Sequence, residues 1–551
     1  MLDGCTQWPD ALSQSYRNSG YWENMTIWDM FERTVQRNPV KVALVLGNTH
    51  QTYQELATVS TQLAAGLLRM GIRPLDRVVL QLPNVLEFVH YYLALTRIGA
   101  IPVMALRAHR HTEVRHFIKA SGAVAYVIPD VVHNFDYRRM AGEMTTEFDQ
   151  LKYVIVVGVA HANQLSHDDV MNSAESHTSI EQALAKIKIA PEEVATMLLS
   201  GGTTSVSKLI PRTHQDYVLN AKLCGKIANF DESAVLMAIL PLGHNYNLAS
   251  PGLLGIFYYG GTVVLSPSTD MDEIFSLVEK EHVTVIAAVV PLISTWLSSD
   301  LPDKYDLSSL KVIQNGGARL APELRQRMRA RWNCIPQEIY GTAEGLINMT
   351  RLDASDELLL NSSGQPVCEA DEIKVVDDEG RELPDGEAGE LLTRGPYTIC
   401  GYYNANEKNA EAFTEDGFYR MGDIVRKIGR DIYTEGRRKD LINRGGEKIS
   451  CDEVENLILG HPSVKAVTLV AMPDPIFGEK ACAYVIAKDG KELTFDMLIA
   501  YLKQQRIASF KLPERLELVK EFPLSPVGKV LKRELRDEIS AKLAQERTSK
   551  I

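Results

Sequence analysis

The chain has 551 residues, which is too long for a single hydrophobic core, so we expect two or more domains. Its 45% apolar and 24% charged residues are ordinary for a soluble globular protein. A net charge of −12 argues against general nucleic-acid binding.

Cysteine usage and the apolar segments indicate the compartment. The seven cysteines are scattered, with no CxxC pair, which favours a reducing environment and gives no zinc site. Residues 1–8 lack the basic stretch and apolar core of a secretory signal. The longest apolar run, 283–297, contains Pro291 and is too short to cross a bilayer. We therefore expect a cytoplasmic protein that binds neither membranes nor nucleic acid.

Along the chain, helix-like and strand-like patterns alternate. The first 30 residues are rich in aromatic side chains and predict a cap packed on the main body. Helical spacing predicts helices at 28–36, 53–68 and 85–98. Short apolar runs predict strands at 42–46, 77–82, 101–104, 123–128, 153–157, 194–199, 235–240, 262–265, 283–289 and 311–314. The alternation predicts an α/β fold whose mostly parallel sheets are flanked by helices.

The pattern changes after about residue 365. Short strands with Gly and Asp turns predict a small, β-barrel-like subdomain at about 365–439. A polar, glycine-bearing run at 436–446 predicts a domain boundary near Asp440. We therefore expect domains at 1–439 and 440–551. The second should be a small α+β domain with helices at 452–459, 495–504 and after 530, and strands at 464–471, 481–486 and 515–518.

One local cluster runs against the acidic balance of the chain. It consists of Arg107, His109, Arg110, His111, Arg115 and His116. We interpret it as the solvated start of a helix rather than as a binding patch for nucleic acid.

The most distinctive stretch follows the predicted strand 194–199. It reads Ser200-Gly-Gly-Thr-Thr-Ser-Val-Ser-Lys208. Adjacent glycines let backbone N–H groups converge on an anion, and hydroxyls and an ammonium add donors for phosphate oxygens. The spacing fits neither a Walker loop nor a dinucleotide fingerprint, and by itself it could be a polar surface loop. As a phosphate loop, its contacts would come from Ser200, Gly201, Gly202, Thr203, Thr204 and Lys208.

Further polar segments lie where predicted strands or turns end. Ligands of α/β proteins gather at the carboxyl ends of parallel strands, so we expect several of these segments to meet. Glu344 could bind a metal ion, Asp423 could accept from two ribose hydroxyls, and Tyr340 offers a face for a purine. The segments are His244–Asn247, Gly316–Ala318, Tyr340–Glu344, Tyr419–Asp423, Gly436–Gly446 and Pro523–Lys529.

In order and spacing, these segments resemble the adenylate-forming superfamily over essentially the whole chain. The phosphate loop is similar to its SGGTTGxPK motif, and YGTAE, YRMGD, GRRKDLINRGGEKI and PLSPVGKVLK resemble its later motifs. Two further segments resemble the stand-alone aryl-acid ligases of siderophore assembly. They are Trp8-Pro-Asp with Gly20-Tyr-Trp22, and His244-Asn-Tyr-Asn-Leu-Ala-Ser-Pro-Gly252.

The resemblance implies a reaction in two steps. A carboxylate attacks the α-phosphate of ATP to give an acyl-AMP and pyrophosphate. The phosphopantetheine thiol of a carrier protein then attacks the adenylate. No segment of this chain resembles a carrier domain, so the aryl carrier protein would be a separate partner, met through a small interface.

The resemblance also implies a role for each matching residue. Thr203, Thr204 and Lys208 would contact the β- and γ-phosphates, and Glu344 would bind Mg²⁺. Lys529 would bridge carboxylate and nucleotide until the mobile C-terminal domain turns about Asp440 and presents Gly445–Lys448. The adenine and ribose positions are Gly316, Gly317, Ala318, Tyr340, Gly341, Thr342, Asp423 and Arg437. The candidate catalytic residues are Lys529, His244, Glu344 and Lys448.

The acid pocket is implied at His244, Asn245, Tyr246, Ser250 and Ile347. By resemblance, Asn245 should meet a 2-hydroxyl and Ser250 a 3-hydroxyl, which favours 2,3-dihydroxybenzoate over salicylate. We expect Asn247 to have a structural effect only.

Two departures from the family pattern and two other functions stay open. Ser205 and Ser207 stand where the family usually has Gly and Pro, and Ser205 would cost roughly 1 kcal/mol if that position requires a positive φ. These serines raise the alternative of a protein that binds nucleotide without turnover. An acyl-CoA ligase, which shares every nucleotide motif, is the other alternative.

Overall fold

The computed structural model describes residues 1–172, 177–200, 207–317, 320, 322–377, 379–437, 441–523, 530 and 532–548. Short 3-10 helices lie at Leu301–Lys304 and Ser509–Lys511. The α-helices are α1 (Asp10–Asn18), α2 (Ile27–Arg37), α3 (Tyr53–Met70), α4 (Leu86–Arg97), α5 (His111–Ser121), α6 (Tyr137–Glu147), α7 (His167–Asn172), α8 (His177–Leu184), α9 (His214–Ile227), α10 (Asn245–Ala249), α11 (Gly252–Tyr259), α12 (Met271–Glu281), α13 (Val290–Leu297), α14 (Pro322–Trp332), α15 (Asp356–Asn361), α16 (Asn406–Ala412), α17 (Cys451–Leu459), α18 (Phe495–Gln504) and α19 (Lys532–Thr548).

The strands fall in four main sheets and one short hairpin. They are β1 (Val42–Leu46), β2 (Thr49–Thr52), β3 (Arg77–Leu80), β4 (Ile101–Met104), β5 (Ala125–Pro129), β6 (Val131–Val132), β7 (Phe135–Asp136), β8 (Tyr153–Val157), β9 (Leu165–Ser166), β10 (Val194–Leu199), β11 (Leu209–Thr213), β12 (Val235–Ala238), β13 (Thr262–Leu265), β14 (Val285–Ala288), β15 (Val312–Gly316), β16 (Ile335–Thr342), β17 (Gly345–Met349), β18 (Gln365–Pro366), β19 (Glu372–Val376), β20 (Ala388–Arg394), β21 (Tyr419–Ile428), β22 (Asp431–Arg437), β23 (Leu441–Arg444), β24 (Glu447–Ser450), β25 (Val464–Asp474), β26 (Gly478–Ala487) and β27 (Arg515–Leu518).

Two large sheets confirm the predicted α/β fold. One has nine strands in the order β18-β17-β16-β15-β14-β12-β13-β1-β2, and the other has seven in the order β11-β10-β4-β3-β5-β8-β9. In the first, β16, β15, β14, β12, β13 and β1 pair in parallel. Strands β1, β12 and β14 are continuous apolar runs because helices cover both faces of a parallel sheet, whereas β15 and β16 carry buried polar residues such as Gln314 and Glu338. Every strand predicted between residues 42 and 314 is present, with its ends shifted by a few residues at most.

The predicted change to short strands after about residue 365 is also confirmed. Strands β19 to β22 form a four-stranded antiparallel sheet, and β23 to β27 form a separate five-stranded sheet. We call residues 441–548 the C-terminal unit. The domain boundary near Asp440 stays a prediction, since residues 438–440 lie outside the described ranges.

The aromatic N-terminal segment is a cap, as predicted. Trp8, Tyr16 and Trp22 are buried and pack edge to face. Both indoles donate to the same neighbouring stretch, Trp8 to the carbonyl of Gly395 at 3.3 Å and Trp22 to that of Pro396 at 2.9 Å. Apolar rings with one N–H each can be buried when that N–H finds an acceptor. In the described ranges, no helix combines the length and apolarity that crossing a bilayer requires.

The basic cluster at residues 107–116 is less exposed than predicted. Helix α5 does begin there, but His109 and His111 are buried, so the interpretation as a solvated start is wrong for them. Burial lowers the pKa of His109 to about 4. The segment after α18 packs on this helix start, and Thr112 Oγ1 donates to the carbonyl of Gln505 at 2.9 Å.

Glu113 fastens the C-terminal unit to α5. Its Oε1 accepts from Lys511 Nζ at 3.2 Å and from the Ala508 N–H at 3.2 Å. The two side chains are only 4% and 8% exposed. Burial acts to raise the pKa of the Glu113 carboxyl, but Lys511, His109 and backbone N–H groups outweigh it and hold the pKa below its usual range. This pair is therefore ionised at neutral pH and screened little by solvent.

Removing the cation should release the C-terminal unit. In Lys511→Met, an unpaired carboxylate would stay buried, which typically costs about 3–5 kcal/mol unless the contact opens to water. We expect hydrogen exchange to accelerate at the Ala508 amide, while the Arg110 amide, which bonds to the same carboxylate within α5, stays protected. The contact should also weaken as the pH falls through the lowered pKa of Glu113.

Lys408→Met is the matched control, because Lys408 pairs with Glu411 on the surface at 3.2 Å. Such exposed pairs contribute about 0–1 kcal/mol. Unchanged exchange at Ala508 in Lys511→Met would mean that the Glu113 pair does not hold the two parts together.

Candidate functional site

Several of the predicted site residues lie at one edge of the nine-stranded sheet. Parallel pairing aligns the carboxyl ends of β12, β14, β15 and β16. His244 follows β12, Gly316 ends β15, and Tyr340, Gly341 and Thr342 end β16. The edge therefore collects segments that are about 100 residues apart in the sequence.

The ends of the predicted phosphate loop are held together. The Ser200 N–H donates to the Lys208 carbonyl at 2.9 Å, and the Lys208 N–H donates to Ser200 Oγ at 2.9 Å. These bonds extend the antiparallel pair β10–β11 by one step. Gly201, Gly202, Thr203, Thr204 and Ser205 lie outside the described residues. Their phosphate contacts stay a prediction.

Lys208 and Glu344 share one neighbour, Tyr402. Lys208 Nζ lies 4.4 Å from the centre of the Tyr402 ring, and the Tyr402 hydroxyl donates to Glu344 Oε1 at 2.8 Å. The loop lysine contacts the ring, and the predicted metal ligand contacts the hydroxyl, of the same tyrosine. Among the described residues, no group of three or more His, Cys, Asp or Glu side chains gathers here. A single carboxylate suits Mg²⁺ that is shared with substrate phosphates, because this ion keeps few protein ligands.

The predicted adenine and ribose positions lie together. The Tyr340 hydroxyl donates to Asp423 Oδ2 at 2.9 Å, and Asp423 is 6% exposed. Asp423 stands opposite Arg437 in the β21–β22 register. The backbone of Arg437 is therefore in place beside Asp423, while its side chain and all of Ala318 lie outside the described part of the chain.

The predicted acid pocket lies at α10. Asn245, Tyr246, Ser250 and Ile347 are all buried. A methyl group at Gly316 would come within 2.9 Å of the Tyr246 ring, so only glycine lets that ring pack against the end of β15. The predicted acid pocket and the predicted nucleotide positions are therefore adjacent.

His244 plays a structural part in the same segment. Its Nδ1 accepts from the Tyr246 N–H at 3.3 Å, which caps α10, and its side chain is exposed. A catalytic role for His244 stays a prediction. Asn247 Nδ2 donates to the carbonyl of Leu240 at 2.6 Å, which agrees with its expected structural effect.

Two residues that contact Asn245 and Ser250 were not predicted from the sequence. The Tyr217 hydroxyl donates to Asn245 Oδ1 at 2.8 Å, and Asn220 Nδ2 donates to Ser250 Oγ at 3.2 Å. Both lie on α9, which is buried over most of its length. Two polar residues three positions apart on an otherwise buried helix were the available signal, since positions i and i+3 share a face.

A turn of the C-terminal unit reaches the same edge. Asn443 Nδ2 donates to the Gly317 carbonyl at 2.8 Å, and Gly446 Cα would lie 3.2 Å from a side chain added at Gly317. Gly446 has φ +97°, a conformation that side chains rarely adopt. This is the turn that the family resemblance assigns to the transfer step. The Lys448 side chain and Lys529 lie outside the described residues.

A series of buried hydrogen bonds supports the backbone of Ile347, a residue of the predicted acid pocket. The Ile347 N–H donates to the Tyr397 hydroxyl oxygen at 3.2 Å, and that hydroxyl donates to Asp371 Oδ2 at 2.6 Å. Burial raises the pKa of Asp371 to about 7, although Tyr397, the Cys368 N–H and Arg430 all act to lower it.

Family models and known proteins match this chain over nearly its whole length. A family model described as AMP-binding enzyme matches residues 31–403, and one described as AMP-binding enzyme C-terminal domain matches residues 453–529. The chain is 45% identical to 2,3-dihydroxybenzoate-AMP ligase of Bacillus subtilis (strain 168), across 98% of this chain and 99% of that protein. It is 40% identical to a salicylyl-CoA synthase / salicylate adenylyltransferase of a Streptomyces species, across 98% of each. Among solved structures, apo MbtA of Mycobacterium smegmatis superposes with a TM-score of 0.75, at 37% identity over 97% of this chain and 98% of that one.

Asp371→Asn should flatten the pH dependence of stability. Because the folded pKa of about 7 lies above the ordinary 3.8, the folded state keeps a proton that the unfolded state has lost. The stability that this proton contributes is complete at low pH and is lost as the pH rises through 7. Between pH 5 and 8 we expect the free energy of unfolding of the wild type to fall by about 2–3 kcal/mol relative to Asp371→Asn.

Urea unfolding at the two pH values measures this difference. Asp353→Asn, at an exposed position, is the control and should follow the wild type. Parallel pH profiles for the wild type and Asp371→Asn would show that Asp371 does not titrate in this range.

Proposed function

Since the chain belongs to the AMP-binding enzyme family, we propose that it activates an aryl acid with ATP and loads it on a separate carrier protein. The acid would become an aryl-AMP with release of pyrophosphate, for siderophore assembly. The observation that carries the proposal is the buried Asn245–Ser250 pair, set beside the edge where Gly316, Tyr340 and Asp423 meet. Two polar side chains in an apolar pocket suit a ring that carries hydroxyl groups.

In the first step, the acid carboxylate attacks the α-phosphorus and the bond to the β-phosphate breaks. Such a reaction needs little covalent help from the protein, so positioning and charge neutralisation supply most of the catalysis. Lys208 would neutralise charge on the leaving pyrophosphate. Glu344 would hold Mg²⁺ jointly with phosphate oxygens, and the ion would add positive charge there. Asp423 and Tyr340 would orient the ribose and the base.

In the second step, the thiol sulfur attacks the acyl carbon and AMP leaves. The thiol needs a path to the site, and the turn Gly445–Gly446 lies against Gly317 where such a path would end. We assign Lys529 to the first step and Gly446 with Lys448 to the second.

The proposed acid is 2,3-dihydroxybenzoate. Its 2-hydroxyl would meet Asn245 and its 3-hydroxyl would meet Ser250, while Ile347 would line the ring. Salicylate is the second candidate, because a 40% identical relative carries that acid in its name. The two acids differ by one hydroxyl, so Ser250 should decide between them.

We expect ATP–pyrophosphate exchange that requires Mg²⁺ and prefers 2,3-dihydroxybenzoate to salicylate. Leaving the buried Ser250 hydroxyl unpaired should cost salicylate about 1–3 kcal/mol, or roughly 5-fold to 150-fold in kcat/KM. A bound water repairs part of that loss, which places the expected ratio at the lower end. In Ser250→Cys the ratio should shrink, because a thiol is a poor hydrogen-bonding partner.

Ser121→Cys is the control, since Ser121 is equally buried but lies on α5. Exchange with fatty or amino acids and none with aryl acids would refute the proposed function. Preference for salicylate, or a ratio that Ser250→Cys leaves unmoved, would refute only the role of Ser250.

Two substitutions should separate the half-reactions. Lys529→Ala should slow adenylate formation by roughly 30-fold to 1,000-fold, the equivalent of about 2–4 kcal/mol, and spare transfer from a preformed adenylate. Gly446→Leu should spare pyrophosphate exchange and slow carrier loading, because its side chain would lie 3.3 Å from Val289 and next to Gly317. Synthetic acyl-AMP and a phosphopantetheinylated carrier measure the second step alone.

Each variant has a matched control. Gly490 also has a positive φ but nothing within 4 Å of an added side chain, so Gly490→Leu carries the backbone strain without the obstruction. Lys520→Ala removes an exposed lysine near Lys529 in the sequence. Equal losses in both steps for either test variant would contradict its assignment to one step.

A further inference from the structure

We propose that Tyr217 and Asn220 fix the hydrogen-bonding polarity of the acid pocket, so that Ser250 acts as a donor toward the 3-substituent of the acid. This inference rests on the proposed function. It concerns which chemical groups the pocket accepts at ring position 3 of the acid. The proposed function says only that a polar side chain, Ser250, faces that position. The polarity follows from four buried side chains, Tyr217, Asn220, Asn245 and Ser250.

The orientation of the Asn220 amide is determined by the backbone. Its Nδ2 donates to the carbonyl of Ala249 at 2.7 Å, and a carbonyl oxygen can only accept. Turning the amide over would set two oxygens against each other. Asn220 Oδ1 is buried and has no partner among the described residues, a cost that the Ala249 bond outweighs in this orientation.

Ser250 therefore receives hydrogen bonds on its oxygen. Its Oγ accepts from Asn220 Nδ2 at 3.2 Å and from Asn245 Nδ2 at 3.2 Å. A hydroxyl oxygen has two lone pairs and one proton. With both lone pairs engaged, the proton is the bonding capacity that Ser250 keeps for a ligand. Ser250 is 2% exposed, so bulk water does not compete for it.

Tyr217 fixes the second amide. Its hydroxyl donates to Asn245 Oδ1 at 2.8 Å, which turns Asn245 Nδ2 toward Ser250. Burial raises the pKa of Tyr217, so the phenol keeps the proton that it donates to Asn245 Oδ1, and turning the amide over would make this hydroxyl accept instead. The Arg212 guanidinium lies 4.8 Å from the centre of the Tyr217 ring and limits its movement. Both amide nitrogens are thus held toward the same oxygen.

A donor at this place selects for an acceptor on the ring. The oxygen of a 3-hydroxyl accepts from Ser250, and its own proton can turn to the neighbouring 2-oxygen. A 3-amino group is a poor acceptor, because its lone pair is delocalised into the ring, and its N–H groups would face the Ser250 proton. Salicylate presents only a C–H. The pocket should therefore reject a 3-amino group although it is polar and of similar size.

The test compares kcat/KM for pyrophosphate exchange with 2,3-dihydroxybenzoate, 3-amino-2-hydroxybenzoate and salicylate. In the wild type we expect the 3-hydroxy acid to exceed the 3-amino acid by roughly 10-fold to 100-fold. In Asn220→Leu, which keeps the branched shape of the side chain but removes the donor, Ser250 regains a lone pair and the ratio should fall to about 3-fold or less. Tyr217→Phe frees the Asn245 amide to turn and should lower the ratio in the same direction.

Asn247→Leu is the matched control. Asn247 is also fully buried, also donates to a backbone carbonyl and also has an unpartnered Oδ1, but it bonds to Leu240 and not to Ser250. Its ratio should match the wild type. Thermal unfolding establishes that each variant is folded, and if Asn220→Leu is not, Tyr217→Phe decides the question.

The possible failures are distinct. A wild type that activates none of the three acids refutes the proposed function. A wild type that activates them with equal efficiency for the 3-hydroxy and 3-amino acids refutes the inference and leaves the proposed function in place. The inference also falls if the folded Asn220→Leu or Tyr217→Phe variant keeps the wild-type ratio, or if Asn247→Leu loses it.

Discussion

A buried arginine holds the site together. Arg212 and Asp216 are fully buried, with Arg212 Nε donating to Asp216 Oδ1 at 2.8 Å. Taking both charges out of water is costly, so such a pair persists only where further hydrogen bonds compensate for the lost water. The two remaining guanidinium nitrogens donate to the carbonyls of Ala343 and Tyr397, at 2.8 and 3.0 Å. One side chain thereby ties β11 and α9 to two distant loops.

Each of these contacts leads to one part of the site. Ala343 precedes Glu344, the proposed metal ligand. The Tyr397 hydroxyl oxygen accepts a hydrogen bond from the Ile347 N–H. The Tyr217 ring lies against the guanidinium, the Tyr217 hydroxyl donates to Asn245, and the Asn245 amide donates to Ser250. Arg212 therefore connects the segments that carry the proposed nucleotide and acid positions. An adenylation reaction depends on that relation, since the carboxylate must meet the α-phosphate in line.

The contacts of the C-terminal unit are of another kind. Among the described residues they include polar contacts, such as Asn443 with Gly317 and Lys511 with Glu113. The exposed hydrogen bond of Asn443 can open and re-form in water, and the Lys511–Glu113 pair can separate if both charges reach water, whereas the contacts of Arg212 join segments from across the chain. A rigid edge with a separable partner suits a reaction of two steps, in which different residues must reach the same atoms in turn.

The sequence by itself determined the fold class, most strands and the set of polar segments, because these depend on local periodicity and on short motifs. The motifs and the family resemblance also nominated Glu344, Asp423, Asn245 and Ser250 as site residues, and their roles stay a prediction. Only the tertiary structure decided which polar residues are buried. Asn220 shares a helix face with Tyr217, but the sequence does not show that this face is buried. The helix start at His109 and His111 is also contacted from about 400 residues away, since Thr112 donates to the carbonyl of Gln505. Burial and hydrogen-bond polarity depend on such distant contacts, and no local pattern records them.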